Sequence, residues 1–328
     1  MIECSCAERE AAPDQKLNFS SPRNFEETNM RSLFMMLVVI ATTNLAWAQP
    51  ELVKRGDYLV NGILACGNCH TPKGPNGDVL EKAFSGGGYW DEPPFTVHAA
   101  NITQDKETGI GSWSDADIKK LLRTGQTPKG VHTAMIMPTS FYHILTENDL
   151  DAVVAYLRTI TPVHNKVPDP IYKVPQVENV PPGGENPFAE PMMSDKVQKG
   201  FYLVTIAHCM ACHTPIGPRG REYKSSLGAG GVKFSGPWGI SVSRNITQNK
   251  TNGIGAWSDD EIKRAITDGV SRDGSRLVDR WDTTTTHGSV QMTSMPSWRI
   301  CAGYPAARSK ARCKANSCPV TAAQRAPG

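Results

Sequence analysis

The sequence predicts an all-α protein built from two similar domains in tandem, joined by a proline-rich linker. Three observations carry this prediction: apolar residues recur at helical spacing, one long segment occurs twice, and a proline-rich stretch separates the two copies. A length of 328 residues accommodates about two domains of roughly 150 residues each. The formal charge of +3 is too small to indicate a nucleic-acid partner.

Helix signals appear in both copies. Ser114 is followed three residues later by Asp117, which predicts a capping box, and Gly125 predicts the end of that helix. Ser258, Glu261 and Gly269 repeat these signals in the second copy. Two further helices follow from apolar spacing, one over residues 52–63 and one that begins at Thr146 and runs to Leu157. Little of the sequence has a pattern typical of β-strands.

The duplication predicts the domain boundaries. Gly56-Asp-Tyr-Leu-Val recurs as Gly200-Phe-Tyr-Leu-Val, and the segment 101–115 recurs as 245–259. A repeat of this length indicates a duplicated domain. We therefore predict a first domain over 49–161, a linker rich in Pro and Gly over 162–193, and a second, incomplete domain over 194–277.

The first 48 residues predict export. Met30-Arg31 is a short positive region, residues 33–41 are apolar, and Ala46-Trp47-Ala48 is typical of a signal-peptidase site. An uncleaved anchor is the alternative, although the apolar run is shorter than the roughly 20 residues of a membrane span. Residues 1–29 are interpreted as a mis-called leader. The mature chain is expected to begin at Gln49 and to lie in the periplasm, either free or associated with the periplasmic face of the inner membrane.

Two CxxCH motifs carry the chemistry of the chain. The first is formed by Cys66, Cys69 and His70 and the second by Cys209, Cys212 and His213. Covalent attachment of haem needs two thiols for its vinyl groups and an imidazole for its iron, and this motif supplies all three within about one helical turn. A thioredoxin-like CxxC and half of a zinc site are the alternatives. The sequence therefore predicts two covalently bound haem c groups, with His70 and His213 as iron ligands.

A second iron ligand is predicted only for the first haem. Met137 is favoured because a thioether commonly closes the opposite face of the iron, and Met135 is the alternative. His98, His132 and His143 are weaker candidates, since isolated loop histidines are more often solvated or hydrogen-bonded. No catalytic residue is predicted. Asn101-Ile-Thr and Asn245-Ile-Thr match glycosylation sequons but are interpreted as structural loops of the repeat.

These residues carry a resemblance to a family. CxxCHTP, the NIT…TGIGxWSD segment, residues 269–277, Met137-Pro138 and residues 149–158 resemble the multi-haem cytochrome c subunits of bacterial membrane-bound alcohol, aldehyde and gluconate dehydrogenases. The resemblance implies two class I-like cytochrome c domains, a periplasmic location and a dehydrogenase partner. It further implies relay of electrons to an acceptor, which is a quinone, an oxidase or another cytochrome. The third haem domain that such proteins often carry is absent from this sequence.

The second copy departs from the pattern near its end. Trp281 stands where the repeat would place the counterpart of Met137, and nothing after Leu277 resembles the first copy. A reading two bases out of register permits the sequence MGHYYYSWISADDLDAIVAYLR, which would restore the repeat. We therefore interpret residues 278–328 as an out-of-frame tail. If the tail is real, the second haem lacks its Met ligand and the helix that covers it. Met295-Pro296 is then a weak substitute, because the flanking helix pattern is missing.

Electron relay is the function that the sequence favours, with a two-haem cytochrome c peroxidase as the alternative. A peroxidase needs one iron with an open coordination position, whereas both copies have the pattern of a domain that ligates the iron on both faces. The chain is accordingly interpreted as an electron-transfer subunit of a dehydrogenase complex rather than as a stand-alone catalyst. A third interpretation is a haem domain that only docks a dehydrogenase.

Overall fold

Residues 49–75, 77–176, 179–217, 220–236 and 239–277 are described by the computed structural model of the chain. The predicted leader and signal peptide, and the predicted out-of-frame tail with Trp281 and Met295, lie outside the described residues. The described residues from Glu51 to Leu277 belong to one compact unit.

Helices frame the described structure. Helix α1 covers residues 49–57 and continues as a π-helical segment over Tyr58–Ile63. The other helices are α2 (Gly67–His70), α3 (Asp115–Thr124), α4 (Glu147–Leu157), α5 (Lys196–Ile206), α6 (Cys209–His213), α7 (Tyr223–Ser226) and α8 (Asp259–Thr267). Short 3₁₀ helices cover Leu80–Lys82, Thr139–Phe141 and Glu190–Ser194.

The predicted helix starts are confirmed by their caps. Ser114 and Asp117 form a complete capping box at α3, and Ser258 and Glu261 form another at α8. Thr146 caps α4 through a hydrogen bond from the backbone N–H of Asp149. These side chains satisfy backbone donors that a helix leaves free in its first turn, which fixes where each helix begins.

The all-α prediction is wrong, because the described residues also form small antiparallel sheets. The strands are β1 (Lys73–Gly74), β2 (Gly77–Asp78), β3 (Tyr89–Glu92), β4 (Phe95–His98), β5 (Ile171–Tyr172), β6 (Ile216–Gly217), β7 (Gly220–Arg221), β8 (Lys233–Gly236) and β9 (Gly239–Val242). They pair as β1-β2, β3-β4-β5, β6-β7 and β8-β9. Strands of two to four residues are too short to show a period of two clearly in the sequence.

One hydrophobic core includes residues from both copies. Leu59 and Leu150 of the first copy and Tyr202 of the second are completely buried in it. A smaller cluster of Phe95, Val97 and Ala134 lies under the β3-β4-β5 sheet.

The segment between the copies packs on the first copy. Within it, β5 pairs with β4, with Phe95 opposite Tyr172 and Thr96 opposite Ile171. Phe188 is buried in the main core. The predicted linker is therefore bound to the first copy through strand β5 and to the main core through Phe188.

Gly56 marks the closest approach of α1 to α4. A Cβ atom at this position would lie 2.0 Å from the carbonyl oxygen of Ala152 and 2.6 Å from the Cβ of Tyr156. We expect Gly56→Ala to reduce the free energy of unfolding by about 1–3 kcal/mol, since overpacking forces the two helices apart. Urea denaturation measures this loss.

A matched control for this prediction is Gly67→Ala. A Cβ atom at Gly67 meets side-chain atoms at 3.5 Å or more, which is ordinary contact. Equal losses for the two variants would contradict the close-approach explanation.

Candidate haem-attachment sites

The first CxxCH motif lies on one helical turn. Cys66 is the N-cap residue of α2, and the backbone N–H of His70 donates to the carbonyl oxygen of Cys66 at 3.0 Å. Cys66, Cys69 and His70 therefore follow one another around a single turn, as the spacing of the motif requires. Ala65, directly before the turn, has a φ of 48°.

His70 is oriented by a backbone carbonyl from a distant loop. Its Nδ1 lies 2.7 Å from the carbonyl oxygen of Ala100. A carbonyl can only accept, so Nδ1 carries the proton and Nε2 keeps its lone pair for a ligand bond. The residue is 8% exposed, and burial lowers the pKa of His70, although the hydrogen bond to Ala100 opposes this. The ring is thus held neutral, with one nitrogen available to a metal.

The second motif repeats this geometry. Cys209–His213 form α6, and His208 before it has a φ of 46°, close to that of Ala65 in the first copy. The Nδ1 of His213 lies 2.6 Å from the carbonyl oxygen of Arg244. Burial lowers the pKa of His213, and the hydrogen bond to Arg244 opposes this. Both histidines therefore offer Nε2.

The repeated NIT segments place the two accepting carbonyls. Ala100 and Arg244 directly precede these segments. In the first, Asn101 Oδ1 accepts from the N–H and hydroxyl of Thr103, at 3.0 and 2.8 Å. In the second, Asn245 Oδ1 accepts from the same groups of Thr247 at 2.8 and 2.7 Å. The sequence indicated these loops as structural but not their role in orienting the histidines. The available signal was the recurrence of the NIT segment, which places the accepting residues 30 positions after His70 and 31 positions after His213.

The first pair of thiols is unsuited to thiol–disulfide exchange. Burial raises the pKa of the Cys66 thiol to about 12, and burial also raises the pKa of the Cys69 thiol. The thiolate is the reactive form in exchange chemistry, and reactive cysteines lie in environments that lower the pKa. These surroundings weigh against the thioredoxin-like alternative.

Among the candidate iron ligands, Met137 differs from Met135 in burial. Met137 is partly buried and packs against the main core, as Cys66 does. The side chain of Met135 is 55% exposed. His98 packs on the ring of Tyr89 at 4.9 Å, and His132 accepts from the side-chain amide of Gln126 at 3.1 Å. The partly buried position favours Met137 over Met135.

The donor set of each motif fits a covalently attached haem. Two cysteines and a neutral imidazole that offers Nε2 lie within one turn. The hydrogen bond from Nδ1 to a backbone carbonyl fixes the imidazole, as is usual for metal-ligating histidines. A helical frame that presents this set defines a c-type cytochrome.

Comparison with known proteins agrees with this class. Residues 53–161 match the family model for cytochrome c. Over residues 53–161 the chain is therefore similar to the cytochrome c family, whose members carry covalently bound haem c and transfer electrons.

Several curated relatives are cytochrome c subunits. The chain is 29% identical over 70% of its length to the cytochrome c subunit of a quinone-dependent alcohol dehydrogenase from Gluconobacter oxydans, covering 49% of that protein. It is 29% identical over 67% of its length to the gluconate 2-dehydrogenase cytochrome c subunit of Pantoea cypripedii, covering 51% of it. The chain thus spans about half the length of these relatives.

A shorter relative has two haems by name. A diheme cytochrome c-type protein of Cereibacter sphaeroides is 28% identical over 65% of the chain, which covers 74% of that protein.

Within the part of the chain that the structure describes, no helix is long and apolar enough to cross a membrane.

Proposed function

We propose that the chain is a periplasmic di-haem cytochrome c that relays electrons from a dehydrogenase toward a quinone or a terminal oxidase. The observation that carries the proposal is the matched pair of histidines, His70 and His213, each fixed through Nδ1 by a backbone carbonyl. One such site would define an electron carrier. Two within one unit favour a relay.

In this proposal, different residues bind the haem at each site. Cys66 and Cys69 would bind the first haem covalently, and His70 and Met137 would bind its iron. Cys209, Cys212 and His213 hold the second. When bound, haem supplies an iron that accepts and releases single electrons.

The protein contributes orientation and exclusion of water. The carbonyls of Ala100 and Arg244 fix the two imidazoles and raise their basicity as ligands. The buried side chains of Leu59, Ile63 and Tyr142 belong to the core that Cys66 adjoins. Such a dry, apolar surrounding is one of the levers by which a protein sets a reduction potential.

The proposed partner and compartment rest on the relatives and on the sequence. The alcohol and gluconate relatives are subunits of dehydrogenases by name, which supports a dehydrogenase as electron donor. The signal-peptide pattern over residues 30–48 supports export to the periplasm. The domain boundaries at 49–161 and 194–277, with a misread tail after 278, belong to the same proposal, and resequencing of the gene tests the tail.

The test of relay uses the haem-loaded chain. A dehydrogenase encoded beside its gene, supplied with substrate, should reduce both haems, and an added quinone or oxidase should then reoxidise them. Failure of reduction by any such dehydrogenase would leave only a docking role. Turnover of hydrogen peroxide with a reduced donor would favour the peroxidase alternative instead.

Met137→Ala tests the iron ligand of the first site. Because a thioether ligand raises the reduction potential, we expect the potential of one haem to fall and one Met–iron charge-transfer band to disappear from the visible spectrum. Met135→Ala is the matched control and should change neither, since Met135 is largely exposed. The reverse pattern would assign the ligand to Met135.

A further inference from the structure

The segments that lead into the two CxxCH motifs contact each other. Leu64 lies two residues before Cys66, and His208 lies directly before Cys209. The partly buried ring of His208 forms a hydrogen bond with the backbone of Leu64. A side chain next to one attachment site is thereby bound to the backbone next to the other.

Aromatic side chains extend this contact. The ring of Phe141 meets His208 edge-on with centroids 6.4 Å apart and meets Tyr223 at 6.2 Å with an interplanar angle of 89°. Phe141 and Tyr223 are 4% and 6% exposed. Edge-to-face pairs of this kind are favourable and directional. We call Phe141, His208 and Tyr223 the bridge cluster.

The bridge cluster lies beside cysteines of both motifs. Tyr142, the neighbour of Phe141, and Tyr223 both belong to the hydrophobic core against which Cys66 and Cys209 pack. The cluster therefore joins the two attachment sites rather than two remote surfaces.

A second polar contact holds the copies together away from the motifs. The hydroxyl of Tyr202 on α5 donates to Asp149 on α4 at 2.5 Å. In the segment between the copies, the backbone N–H of Phe188 donates to the carbonyl oxygen of Ile144 in the first copy at 2.9 Å. With the shared core, these bonds leave the bridge cluster little freedom to open.

We propose that the bridge cluster fixes the separation of the two haem-attachment sites, so that electrons pass between them within one chain. This inference rests on the proposed function, in which both motifs carry haem. In the transfer, ferrous iron at one site becomes ferric and ferric iron at the other becomes ferrous. No bond forms or breaks, and no other reactant is needed. His208 acts here as a positioning residue.

His208→Asn in the full haem-loaded chain tests the proposal. Asparagine tolerates the left-handed backbone of this position but removes the imidazole ring. Pulsed electron paramagnetic resonance on the ferric protein should show one narrow distance between the irons in the wild type and a broader or longer one in the variant. Equilibration of one photochemically injected electron between the haems should be severalfold slower, with both haem spectra unchanged.

Tyr223→Leu removes another member of the cluster and should act in the same direction. His98→Asn is the matched control, because His98 packs on Tyr89 and not on the bridge cluster. Wild-type distance and rate in both bridge variants, with two haems bound, would overturn the proposal. A wild-type chain that binds a single haem would instead overturn the proposed function, and the haem content measures this directly.

Discussion

A chain in which Cys66 and Cys69 are both alanine is expected to lose half of its covalently bound haem. These thiols are the covalent link of the first site in our proposal, and each CxxCH motif serves one haem. Cys209→Ala with Cys212→Ala should remove the other half, and the fourfold variant should retain none. Haem staining on denaturing gels and the absorbance of the pyridine adduct per chain measure the content.

A substitution outside the motifs provides the control. His98→Asn should leave the haem content unchanged, because this residue belongs to no CxxCH motif. A wild-type content of one haem that survives the loss of Cys209 and Cys212 would show that the second site does not mature. Full retention of haem without Cys66 and Cys69 would refute the assignment of the first site.

Local sequence signals located the parts of the structure that depend on local physics. The capping boxes at Ser114 and Ser258 could be predicted because each involves residues three apart. The turn that carries His70 could be predicted because the haem motif fits a helical turn. In these cases the residues that determine the structure are adjacent in sequence.

Features that depend on distant residues could not be predicted in this way. The acceptor for His70 is the carbonyl oxygen of Ala100, thirty residues away, and backbone carbonyls have no sequence signature. Strand β4 also pairs with residues 171–172, which lie within a proline-rich stretch that predicted a semi-rigid extended linker. The all-α prediction was wrong for this reason, since hairpins this short are set by tertiary contacts rather than by periodicity.

Replacement of Asp149 is expected to have the largest effect on stability. Arg55 donates to both carboxylate oxygens of Asp149 at 2.8 Å, Tyr202 donates to one of them, and the side chain of Asp149 is only 6% exposed. Asp149→Ala leaves the half-buried guanidinium of Arg55 without its counter-charge. Loss of one partner of a buried ion pair costs about 3–5 kcal/mol, and urea denaturation should show a loss of this size.

Substitution of Asp151, on the same helix, is the control for the loss of one negative charge. Its carboxylate pairs with Lys119, and its side chain is 47% exposed. Exposed pairs contribute about 0.2–1 kcal/mol, so Asp151→Ala should be nearly neutral. Because Tyr202 belongs to α5 of the second copy, Asp149→Ala should also speed amide hydrogen exchange over residues 196–206. Faster exchange confined to α1 and α4 would show that Asp149 stabilises the first copy alone, and that the two copies are held together by the apolar core and the bridge cluster.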